Sequence, residues 1–207
     1  MKPTDFFDLT EFEHKAIFEG VENVWEALEE LSQYIDQLFF SGKIVGNFAA
    51  DVYVHPEAEI DPSTRILGPA IICKKAKVRY NAFIRENVIV GENSVIGHAV
   101  EVKNTIILNN STIAHFNHVG DSIIGGNINI AGGAQLANLR LDQNTVSVEL
   151  DGQKINTGLK KLGAIIGDNS QIGANAVLNP GTILGKESIV YPLALVSHTH
   201  PTKSIIK

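Results

Sequence analysis

The sequence predicts an all-β solenoid, a parallel β-helix of hexapeptide repeats with an N-terminal α-helical appendage. Three observations carry this. First, every sixth residue from Val54 is aliphatic: Val54, Ile60, Ile66, Ile72, Val78, Ile84, Val90, Ile96, Val102 and Leu108. Second, the residue four places after each rung is mostly small, from Ala58 and Thr64 to Ser94 and Thr112, and the same pairing resumes at Ile166, Ile172, Leu178, Leu184 and Val190. A helix would repeat its apolar face every 3.6 residues and a strand every two, so a sustained period of six marks short strands and turns stacked as coils. Third, residues 1–41 lack the period and read as helix.

The elements follow in order. Thr10 and Glu13 have the spacing of a capping box at a helix start. Val24, Leu28, Leu31, Ile35 and Leu38 then recur at helical spacing, with Trp25, Tyr34 and Phe39 widening the stripe. Gly42 can end that helix. This segment, residues 1–45, is expected to cover the open edge of the first coil, because the end of a β-helix is an exposed sheet edge. The solenoid is expected over 46–196. Pro56, Pro62 and Pro69 fall one, two and three places past rungs, where turns belong. The ladder stumbles after Leu108, where the next steps land on Ala114 and Gly120, and returns at Ile124. A second interruption, 139–163, reads as an inserted hairpin: Val146, Val148 and Leu150, an Asp151-Gly152 turn, then Lys154 and Ile155. Residues 197–207 are expected to leave the prism as a short tail.

Composition bounds the function. With 44% hydrophobic and 19% charged residues the chain is globular, and no apolar run is long enough for a signal peptide or membrane span. A single cysteine, Cys73, allows no intrachain disulfide, which fits a cytoplasmic location. Residues 1–41 hold ten acids and two basic residues, leaving 13 acids and 15 basic residues for the remainder. The repeat region is thus slightly basic, enough for small anionic ligands and too little for a nucleic-acid surface.

The stretch Ala114–Asn138, AHFNHVGDSIIGGNINIAGGAQLAN, is off the ladder in part and carries chemistry. It resembles the acetyltransferase half of the GlmU-type bifunctional N-acetylglucosamine-1-phosphate uridyltransferases: His115, Gly120-Asp121, Ile124-Gly125, Asn127, Asn129, Ile130 and Asn138 match. Upstream, Arg85 and Glu101-Val102-Lys103 match. Downstream, Thr157–Asn169 is most similar to the archaeal sugar-1-phosphate nucleotidylyltransferase and acetyltransferase branch. The resemblance covers roughly residues 80–195.

The resemblance implies a triangular, left-handed prism and a homotrimer with sites shared between copies. It also implies acetyl transfer from acetyl-CoA to the amine of glucosamine 1-phosphate or a close relative, a step toward UDP-N-acetylglucosamine and the cell envelope. The amine loses a proton as it attacks the thioester, and His115 is the candidate general base. Arg85, Lys103 and Lys160 or Lys161 fall where the family binds phosphate. Asn129 and Asn138 would bond the sugar. Gly132, Gly133, Ala174 and Pro192 fall at the acetyl-CoA groove, with a backbone N–H near Gly132–Gly133 for the oxyanion.

Two departures stand out. His118 replaces a family tyrosine, and the doubly wound nucleotidyltransferase half has no counterpart, so no nucleotidyl transfer is expected. No metal, membrane or nucleic-acid partner is expected either. Three alternatives remain: another sugar or nucleotide-sugar N-acyltransferase, a non-catalytic ligand-binding β-helix, and a zinc lyase of the γ-carbonic anhydrase kind drawing on His98, His115, His118, His198 and His200. The last lacks that family's paired-histidine spacing. The two breaks in the ladder are expected to face one cleft, with His115 at its floor.

Overall fold

A computed structural model describes residues 1–150 and 152–207. The chain winds a left-handed parallel β-helix with three flat faces. Face A stacks eight strands, from Val52–Val54 to Thr199–His200. Face B stacks eight, from Glu59–Ile60 to Ile205–Ile206, and face C seven, from Arg65–Ile66 to Leu195–Val196. The predicted rungs fill the bore: Ile72, Val78, Ile84, Val90, Ile96, Val102 and, later, Ile166 to Val190 form one buried cluster.

The ladder does not stop after Val102; it slips. Val52 pairs with Ala70 and Ala70 with Val88, a step of 18 residues, whereas Val88 pairs with Thr105 and Ile106 with Ile123, a step of 17. Each of those two coils lacks one residue. The next rung is therefore Ile107, not Leu108, followed by Ile113, Val119, Ile124, Ile130 and Leu136, all in the bore. Leu108 is buried on the outer side instead. The expected break at 114–120 is thus regular coil, ending in the face C strand His118–Gly120. One consequence is Asn117, which occupies the bore position taken by Ala82, Val100 and Ala134 in neighbouring coils. Both its side-chain polar atoms lack a partner among the described residues.

The corners explain the recurrent asparagines. They fall in the left-handed backbone region at Asn81, Asn87, Asn93, Asn104, Asn110, Asn127, Asn169 and Asn175, among others. Asparagine tolerates that conformation better than other side-chain-bearing residues. Phe116 adopts it too, at φ +56°, which a bulky residue does only at a cost.

The N-terminal segment does not cap the first coil. It lies along face A. A short helix α1 (Pro3–Phe6) leads to the neighbourhood of Asp168, whose backbone N–H donates to Phe6 C=O and whose carboxylate accepts from Asp8 N–H. Asn109 then donates to Glu11 C=O, and helix α2 (Ala27–Phe40) packs back across the face. Phe6, Phe7, Trp25, Leu31 and Ile35 bury the outward residues Ile71, Ile89, Ile106, Ile123, Ile165 and Ile183. The predicted helix is present and ends at Gly42, in the left-handed region at φ +70°. No α-helix begins at Thr10; Asp8 Oδ1 accepts the Thr10 N–H there.

The first edge strand is covered by a side chain. Asn47 donates to Val54 C=O and accepts from Val54 N–H. The insertion is a hairpin, Ser147–Leu150 against Gln153–Asn156, as read from sequence, although Asp151 of the predicted turn lies outside the described residues. The chain does not leave the prism at Ser197: Thr199–His200 and Ile205–Ile206 extend faces A and B. No helix is long and apolar enough to cross a membrane.

Candidate active site

Parallel stacking converts sequence spacing into columns along the prism. At the edge joining faces B and C, corner residues stack by main-chain bonds: Phe116 N–H to His98 C=O, Gly133 N–H to His115 C=O, Asn175 N–H to Gly132 C=O and Leu193 N–H to Ala174 C=O. One column therefore reads Tyr80, His98, His115, Gly132, Ala174 and Pro192. His115 is exposed at its midpoint. On one side lie rings: Tyr80 and His98 stack at 3.9 Å, and Phe116 meets His98 edge-on at 4.9 Å and His115 at 5.6 Å. On the other side the column is bare. A Cβ on Gly132 would stand 2.5 Å from His115 Nε2, so glycine makes room for the ring. Because Gly133 N–H is spent on His115 C=O, the Gly132 N–H is the one of that pair without a partner among the described residues.

Face C carries a polar patch beginning three residues along, a reach of at most about 10 Å. Arg85 Nη1 donates to Glu101 Oε1 at 3.0 Å, Lys103 Nζ pairs with Glu86 at 3.2 Å, and His118 Nδ1 lies 3.7 Å from the other Glu101 oxygen. Glu86 is held below the usual carboxylate range by a backbone hydrogen bond first and by Lys103 next, against burial. Pairing here is cross-strand: His118 sits beside Glu101, and Gly120 beside Lys103. Gly120 leaves space filled by the Asn138 amide and the His118 ring. Asn138 and Asn104 both donate to the Asp121 carboxylate, the acid of the predicted Gly-Asp motif. That acid's role is therefore to hold two amides at a corner.

The structure thus brings together Arg85, Lys103, His118 and Asn138 on one face and His115, Gly132, Gly133, Ala174 and Pro192 along its edge. Lys161 joins by a main-chain bridge to Leu139, next to Asn138, while Lys160 is exposed beside it. Asn129 does not join them. It is exposed on face B, between Thr112 and Gln171. Nor does the hairpin roof His115. It stands at the opposite, C/A edge, where a groove of about 670 Å³ runs between Arg140, Glu149 and Lys154 and the coil residues Asn179, Ser197 and His198. The single cleft expected from the two breaks is absent among the described residues, because the first break is regular coil. The five histidines considered for zinc are spread over three regions, with His198 and His200 at the C-terminal end of face A. Glu101 is the residue that spacing alone undervalued; it bridges Arg85 and His118.

Coils built from six-residue units with these corners define a hexapeptide-repeat protein, and the chain belongs to that class. The GMPPB C-terminal domain matches residues 66–150, and the bacterial transferase hexapeptide (six repeats) matches 163–198. A bifunctional sugar-1-phosphate nucleotidylyltransferase/acetyltransferase from Sulfurisphaera tokodaii is 34% identical over 190 residues, covering 89% of this chain and 47% of that protein. A bifunctional protein GlmU from Methanococcus maripaludis strain S2 is 32% identical over 198 residues, covering 94% and 48%. The chain spans about half the length of the curated relatives it matches. Among solved structures, a point mutant of AntD, an N-acyltransferase from Bacillus cereus, aligns with a TM-score of 0.44 at 14% identity, over 71% of this chain and 74% of that one.

Proposed function

We propose that the protein is a sugar N-acyltransferase that moves an acetyl group from acetyl-CoA to the amine of an amino-sugar 1-phosphate, with glucosamine 1-phosphate as the first candidate. The observation that carries the reading is the position of His115. It is an exposed imidazole at one edge, between a bare column of small residues and a patch of cations and amides. Acyl transfer to an amine needs both neighbours. The thioester lies along Gly132, Ala174 and Pro192, and the sugar phosphate lies on face C.

His115 takes the amine proton as the nitrogen attacks the thioester carbonyl. The unpartnered Gly132 N–H donates to the oxygen that gains charge. Collapse expels the coenzyme A thiolate, which recovers a proton. Holding both substrates in line replaces any covalent intermediate on the protein. Arg85 and Lys103 bind the phosphate with the donors their acid partners leave free, and Lys161, with Lys160 beside it, closes that end. Asn138 bonds the sugar, and His118 supplies a donor where relatives of the resembled family carry tyrosine. Asn129, on the other face, belongs in this reading to the site of an adjacent copy in a homotrimer.

The test is thiol release from acetyl-CoA with glucosamine 1-phosphate. The expected result is turnover that falls about 10²–10⁴-fold in His115→Ala. A panel of amino-sugar phosphates and acyl-CoA chain lengths sets specificity. No turnover with any amino-sugar phosphate would sink the reading.

A further inference from the structure

The N-terminal segment meets the solenoid at a mixed ligand set. Glu13, His14 and Cys73 present one carboxylate oxygen, one ring nitrogen and one sulfur, all within 4.8 Å of one another. His14 and Cys73 are buried, at 4% and 2% exposure, and Glu13 faces them from the rim. We propose that these three residues bind a zinc-class divalent cation that fastens the N-terminal segment onto face A.

Three features support the site. The donor set suits a borderline ion such as Zn²⁺, whose ligands are thiolate, imidazole and carboxylate. Bonds of about 2.0–2.3 Å in a tetrahedron put donors roughly 3.5 Å apart, so the three would close in around the ion from separations of up to 4.8 Å. The Tyr34 hydroxyl lies 3.1 Å from His14 Nδ1 and orients the ring, and an outer-shell partner of this kind accompanies metal-bound histidines. Most telling, the Glu13 carboxylate has no hydrogen bond or ion pair among the described residues, although its charge bears on His14, Tyr34, Tyr53 and Cys73. The carboxylate stands beside a thiol whose ionisation it opposes, and a cation between the two would offset that repulsion.

Binding balances simply: the Cys73 thiol gives its proton to solvent, and a water completes the four-coordinate ion. Glu13 and His14 come from the segment that crosses face A, and Cys73 from the face itself. The ion would therefore cross-link elements 59 residues apart in sequence at the far end from the Asp8–Asp168 contact.

Cobalt(II) titration of the full chain, with metal analysis, tests this. One ion per chain is expected, with a thiolate-to-cobalt charge-transfer band that can come only from Cys73, the sole cysteine. Cys73→Ser should abolish the band. Glu13→Gln, at an exposed position that leaves the fold intact, should weaken affinity at least about tenfold. Chelation should raise hydrogen exchange over residues 12–18 and leave the distant coils unchanged. The proposal is overturned if excess cobalt gives no band, or if Cys73→Ser and Glu13→Gln bind as the wild type does.

Discussion

Two residues in adjacent coils show how little space separates frame from chemistry. Gly132 is a glycine because the His115 ring occupies the volume of its missing Cβ. Its backbone lies outside the left-handed region, so alanine is tolerated there and only the flexible end of His115 must move. Gly132→Ala is expected to leave stability within about 0.5 kcal/mol while cutting turnover tenfold or more, read by denaturant titration beside kinetics. Asn117 is the converse case, a polar side chain inside the bore with nothing to bond. Val100 holds the equivalent place one coil earlier, so the bore accepts valine. Asn117→Val should stabilise the fold by about 1 kcal/mol, because it removes an unsatisfied amide at similar volume. A loss of stability in chemical denaturation would show that the amide is bonded within the bore, by a trapped water for example.

Face A shows what elements add to residues. Its strands read as unbroken apolar runs, Ala70-Ile71-Ile72, Val88-Ile89-Val90 and Ala164-Ile165-Ile166, and all are buried on both sides. Such runs mark parallel strands covered on both faces. The period of six marks the inward rung alone, whereas the outward isoleucines, and with them the docking place of the N-terminal helix, are written in these three-residue runs. Leu31 lies fully buried where α2 meets this surface. Leu31→Ala should cost about 2–5 kcal/mol in unfolding free energy and, by loosening the segment, raise dye binding to the exposed isoleucines. The corner asparagines were equally legible, since Asn81, Asn87 and Asn93 repeat every six residues and the later ones follow the two shortened steps. Those steps moved the rung from Leu108 to Ile107 with no change of residue class, so the hydrophobic pattern registers the slip only at Ala114, one rung late. The hairpin's direction was not legible at all, because its anchor is tertiary: Val146 and Val148 pack with the outer surface of face A.

At the scale of the whole molecule, the solenoid sorts the candidate site residues onto faces that a single chain cannot fold toward one another. His115 sits on the B/C edge and the cations on face C, while Asn129 is exposed on face B, and among the described residues no lid bridges them. The resemblance matches all of these residues, and the geometry reconciles them if face B of one copy approaches face C of the next. Closed cyclic assembly would repeat that heterologous contact around the ring. The prediction is complementation. His115→Ala and Asn129→Ala are each expected to be impaired alone. Co-expressed in equal amounts, they should form mixed assemblies in which a site drawing His115 from one chain and Asn129 from its neighbour is intact about a quarter of the time. Activity near that fraction of wild type, beyond the sum of the two separate variants, is the expected readout. If instead the mixture equals the average of the two variants at every ratio, each site is contained in one chain, and Asn129 acts through the fold of its own coil.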